Sequence, residues 1–92
     1  MEYAKRTLHE LRTSAGLNQA ELADILEVSP KTLWFYEQNS SNIPDELIQK
    51  YMYVFNVPYE DIFFGDKYEK IVQIKNNVLA RANNLKKLRN SM

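Results

Sequence analysis

Cysteine is absent from the 92 residues, so a disulfide and a cysteine-ligated zinc site are both excluded. His9 is the single histidine, which leaves few routes to a metal centre or to histidine-based catalysis. It reads as a polar spot on a helix surface. There is no glycine-rich phosphate loop, and the five serines have no assembled catalytic partners. The expectation is a protein that performs no chemistry and needs no metal or cofactor. The longest apolar stretch, Tyr51–Phe55, is much too short to cross a bilayer. The charged N-terminal region lacks the apolar core of an export signal. A cytoplasmic chain without membrane association is expected. No useful length of sequence alternates with a period of two, which argues against strands.

Only two glycines and three prolines occur, and they divide the chain into helices. Tyr3 to Ala15 reads as a first helix with Leu8 and Leu11 inward, closed by Gly16. Asn18 offers a cap for a second helix, with Glu21 three places on as in a capping box. Leu22, Ile25 and Leu26 are its expected buried residues. Ser29 followed by Pro30 starts a third helix, because the hydroxyl caps and proline suits the first helical position. Asn39–Asn42 is a polar loop. Pro44 opens a fourth helix carrying Leu47, Ile48, Tyr51, Val54 and Phe55, and Pro58 opens a short fifth one before Gly65. Residues 66–92 contain neither glycine nor proline and read as one long helix. The architecture predicted is therefore all-α, a five-helix domain over residues 1–65 followed by a long helical arm over 66–92.

Charge follows the same division. Residues 1–65 hold five basic and ten acidic side chains, whereas residues 66–92 hold seven basic ones against Asp66 and Glu69. A basic arm on an acidic body suits a polyanion, a partner subunit or plain solvation.

The third helix carries Trp34, Phe35 and Tyr36 in succession. Successive helical residues point about 100° apart, so one core cannot hold all three rings. Leu33 and Tyr36 are three apart and share a face. With that face inward, Trp34 and Phe35 lie about 130° away on opposite flanks, and Lys31 and Gln38 fall near the centre of the outward face. Tyr36 is the expected core ring. An outward Trp-Phe pair needs a cover.

Two short helices joined by a tight turn within a helical domain describe a helix-turn-helix. The stretch GLNQAELADILEVSPKTLWFYE, residues 16–37, closely resembles the helix-turn-helix of lambdoid phage repressors, Cro proteins and Xre-like regulators. The resemblance runs from about Leu8 to Gly65 and includes the closing FNVPYEDIFFG. It implies a lambda-repressor-like fold and sequence-specific binding of double-stranded DNA, in a phage, mobile-element or bacterial setting. Ala23 stands where the two helices cross, and a small side chain lets backbones approach there. Arg12 and Glu37 match a structural salt bridge between the first helix and the recognition helix. The base-reading positions implied are Pro30, Lys31 and Phe35. Lysine donates to guanine O6 and N7, and an apolar ring touches the thymine methyl. Trp34 either joins that contact or packs against the fourth helix or the arm. Asn18 and Gln19, at the start of the second helix, match phosphate-gripping positions. Ser29, Thr32, Gln38 and Asn39 flank the third helix in the same manner, although Asn18 and Asn39 also serve as a cap and a turn former. Glu27 occupies the turn position where glycine commonly permits positive φ, at a cost of about 1 kcal/mol or a different turn.

Along the arm, Ile71, Ile74, Val78, Leu85 and Leu88 follow a near-heptad seam, broken where Arg81 takes an apolar place. Such a helix needs a surface to cover. It folds back on its own domain, pairs with a second copy, or holds a toxin-like protein partner. An acidic body binds DNA weakly as a single copy, and pairing adds a second half-site. The leading expectation is a homodimeric repressor that covers a promoter at a palindromic operator. The alternative is an antitoxin or anti-repressor whose arm grips a partner protein.

Overall fold

The computed structural model describes residues 5–90. Helix α1 spans Leu8–Ser14, a later start than the apolar pattern suggests; Tyr3 and Ala4 lie outside the described residues. Thr7 accounts for the difference. Its hydroxyl accepts from the Glu10 amide while the Glu10 carboxylate accepts from the Thr7 amide, both at 3.1 Å, and this capping box fixes the first turn. Upstream the backbone is committed elsewhere: Arg6 bridges Ile62, with its amide donating to Asp61 at 3.0 Å and its carbonyl accepting from Phe63 at 2.8 Å.

Helix α2 (Gln19–Leu26) is capped by Asn18 and Glu21 as the sequence indicates, and α3 (Pro30–Gln38) by Ser29 with proline at its start. Between them Glu27 adopts the left-handed conformation, φ 59° and ψ 42°. The turn geometry is kept despite the side chain. Glycine is free of that steric penalty, so Glu27→Gly is expected to raise folding stability by up to about 1 kcal/mol in urea denaturation.

Helix α4 (Asp45–Phe55) follows Pro44. Pro58 then opens the short fifth helical element of the body, a single 3-10 turn over Tyr59–Asp61. Leu8, Leu11, Leu22, Leu26, Leu33, Tyr51 and Ile62 are the largest fully buried side chains and come from every segment of the body. Ile25 corrects the expectation for α2, since it is half exposed and borders a surface groove with Tyr53 and Val54 of α4. The α2 face buried against the core is taken by Leu22, Ala23 and Leu26.

Ser40 joins the body to its exit. Its amide donates to the Gly65 carbonyl and its hydroxyl accepts from the Gly65 amide, both at 3.0 Å. Gly65 has φ 151°, and an added Cβ would stand 2.8 Å from a Glu69 carboxylate oxygen. Helix α5 (Lys67–Asn90) leaves from this point. Its first turns rest on the body, where Lys70 is paired with Glu10. From Ile71 to Asn90 every residue except Ala82 is exposed, and the molecule extends 59 Å along its long axis against 24 and 22 Å across it.

Candidate nucleic-acid interface

The third helix is anchored from beneath by Leu33, which is fully buried, and by Tyr36, which packs against the core. Trp34 is 51% and Phe35 59% exposed. The aromatic run thus divides by helical geometry, one ring inward and two outward. Lys31 is exposed at the amino end of the same outward face, with Pro30 beside it. Thr32 is tied locally: its amide donates to the Ser29 hydroxyl at 3.0 Å, and that hydroxyl donates to Thr32 Oγ1 at 2.8 Å.

The angle of α3 is held by a buried ion pair. Arg12 Nε and Nη2 donate to the two Glu37 carboxylate oxygens at 2.6 and 3.0 Å, and Nη1 reaches the Leu17 carbonyl at 3.0 Å. The Glu37 side chain is 1% exposed. Burial alone would push its carboxyl up, but the bonds from Arg12, Gln19 and His9 hold it below the ordinary range. The same fork raises the Arg12 pKa further. Tyr51 lies beneath this pair; burial, and secondarily the Glu37 charge, push its phenol well up.

Gln19 stands at the first position of α2, and its side-chain amide donates to Glu37 at 3.3 Å. The pair therefore links α1, α2 and α3. Asn18 serves as a cap, its Oδ1 accepting from the Glu21 amide at 2.7 Å while remaining exposed. Asn39 is the α3 C-cap, and its Oδ1 accepts from the Ser41 amide and hydroxyl at 3.0 and 2.7 Å. Ser29, Pro30, Lys31 and Phe35 lie exposed along α3, and Asn18 lies exposed at the start of α2. Trp34 and Gln38 turn instead toward α5.

There they line a groove of about 480 Å³ with Lys67, Lys70, Ile71 and Ile74. Its floor includes Glu10, whose carboxyl is opposed by burial but held low by Lys70 and Thr7. Sequence reading missed this groove, because Glu10 and Lys70 lie far apart in the chain and no local pattern pairs them. It also missed Ser40, one polar residue of a polar loop until its burial is seen. Among the described residues no cluster of three or more metal-ligating side chains occurs. No described helix is long and apolar enough to cross a membrane.

The helix-turn-helix family model matches residues 8–62, more than half of the chain. The chain belongs to that family, in its Xre/Cro/C1 type, and falls in the class of DNA-binding regulators. It is similar to the antitoxin PezA of Streptococcus pneumoniae serotype 4 (strain ATCC BAA-334 / TIGR4), at 37% identity over 62 residues. That match covers 67% of this chain and 39% of the relative, so the chain spans well under half the length of the protein it matches.

Proposed function

We propose that the chain is a repressor that binds a palindromic operator as a homodimer, with residues 1–65 reading DNA and residues 66–92 joining two copies. The observation that carries this is the outward face of α3, where Lys31 and Phe35 stand exposed opposite the buried Leu33. On a helix seated in the major groove, Lys31 donates to a guanine and Phe35 meets a thymine methyl. The starts of α2 and α3, with Asn18, Gln19, Ser29 and Thr32, present amides and short polar groups to phosphate oxygens. Repression is steric, by occupation of a promoter in the cytoplasm, and involves no chemistry.

Charge explains why a second copy is needed. Arg12 is consumed by Glu37, and Lys50 donates to the Leu26 carbonyl at 3.1 Å. Few free cations remain on the body to neutralise phosphate, which supplies much of DNA affinity. Two bodies on one duplex restore it.

The test is titration of random and operator-selected duplexes at two salt concentrations. Selective binding that weakens with salt is expected; equal affinity for both duplexes would end the reading. In the same assay Lys31→Ala is expected to lose about 1–3 kcal/mol of discrimination at one base position. Unaltered selectivity would remove Lys31 from the groove.

A second reading is favoured by the antitoxin similarity together with the exposed apolar residues of α5. In it the arm holds a partner protein and DNA binding is subsidiary. A monomer that binds no duplex selectively would bring this reading forward.

A further inference from the structure

The groove between α3 and α5 holds about 480 Å³, within the roughly 300–1,000 Å³ usual for small-molecule sites. Its apolar lining is Trp34 from α3 with Ile71 and Ile74 from α5, each about half exposed. An indole and two branched aliphatic side chains on one slot suit a flat ring. Polar groups reach the same space. Among the described residues the Trp34 indole N–H and the Gln38 side-chain amide have no hydrogen-bond partner, and both residues line the groove.

Charge narrows the occupant further. Two carboxylates line the groove, and both are already matched: Glu10 is paired with Lys70, and Glu37 with Arg12. His9 adds no negative charge. Lys67, about one turn before Lys70 on α5, is left over. Among the described residues no acid pairs with it. Its ammonium lies 5.2 Å from the centre of the Tyr68 ring, a contact that leaves its N–H donors available. The lining therefore carries one positive charge in excess, and the complement to it is an occupant with a single negative group.

We propose that this groove is an effector site for a small aromatic monoanion, its ring between Trp34 and the Ile71–Ile74 pair and its acid group on Lys67. The site stands at the edge of the proposed DNA face, because Gln19 and Gln38 line it as well. An occupant neutralises a cation there and sets a negative group near the phosphates that the start of α2 would grip. Operator binding is then expected to weaken, and by reciprocity the operator weakens the ligand by the same factor. That consequence rests on the DNA-binding reading above; the binding site does not.

Trp34 is the only tryptophan, so its indole N–H gives a signal of its own in a proton–nitrogen correlation spectrum. Naphthoate is the probe, and naphthamide its uncharged counterpart. Naphthoate is expected to shift the signals of Trp34, Gln38, Ile71 and Ile74, and to bind about three- to fivefold more tightly than the amide. Lys67→Gln, at a partly exposed position, is expected to remove that preference without unfolding the chain. Equal binding of acid and amide to the natural chain would overturn the charge assignment. Shifts that extend equally to Val78 and Leu85 would mean adsorption along the whole arm, and no shift at about 1 mM probe would mean no site; either result overturns the proposal. A Trp34 signal that moves with protein concentration alone would give the groove to a second copy and overturn it too. On a selected operator, saturating naphthoate is expected to lower affinity at least about fivefold. Unchanged operator affinity with the groove filled would overturn the effector role. A chain that selects no duplex at all would end the DNA-binding reading and the effector role together, while the spectra alone judge the binding site.

Discussion

Replacing Glu37 by alanine is expected to cost about 3–5 kcal/mol of folding stability, because it leaves the Arg12 guanidinium buried and unpaired. Domains of this size are stable by only about 5–15 kcal/mol in total, so the variant should approach the threshold of unfolding at room temperature. Urea denaturation measures it. Arg12→Ala is expected to lose a similar amount, and the double variant less than the sum of the two, since both remove one interaction. Replacing both residues by apolar ones of similar volume is expected to be nearly neutral. The value of the pair thus lies in fixing α3 against α1 and α2 through a geometry that only the two together satisfy. Acid should reproduce part of the loss. The Glu37 carboxyl titrates below its ordinary value of 4.5 in the folded chain. Its contribution is therefore complete above that value and disappears as pH falls through the lower folded pKa. In the Glu37→Gln variant this part of the acid dependence should vanish, which is read by comparing denaturation midpoints over the same pH range.

A larger effect on function is expected from a residue that touches neither DNA nor the core. Leu85→Asp removes an exposed apolar side chain from the arm, far from the body. If the arm joins two copies, operator affinity should fall about 10²–10⁴-fold, the gain that linked binding of two half-sites supplies. Affinity for an isolated half-site should stay the same. Fluorescence anisotropy on full and half operators, with light scattering on the same samples, separates the two. An unchanged affinity for the full operator would mean that each body binds alone, and DNA binding by so acidic a body would then need another explanation.

Cap chemistry was the most legible part of the sequence. Asn18 with Glu21, and Ser29 with Pro30, are local arrangements whose hydrogen bonds close within one turn. The division of the three aromatic rings was legible for a related reason: a helix start and its angular step settle which way each residue points. Residues governed by distant partners were not. Ile25 has the spacing of a core residue, yet the depth of the α2–α4 contact leaves it at the rim. The start of α1 was misplaced because Arg6 bonds to the segment around Ile62, which apolar periodicity does not register. Of the candidate interface, the exposed face of α3 could be anticipated. The pairing of Gln19 with Glu37 and the groove beside Trp34 depend on how α1, α3 and α5 converge.

The paired hydrogen bonds between Ser40 and Gly65 form the fulcrum of a lever. Beyond them runs a rod of about 36 Å, so a tilt of only about 10° at Gly65 carries its tip through roughly 6 Å. A small change of angle at this joint would thereby be magnified at the opposite extremity of the molecule, so the Ser40–Gly65 bonds, together with the Lys70–Glu10 pair, help to set where that extremity lies.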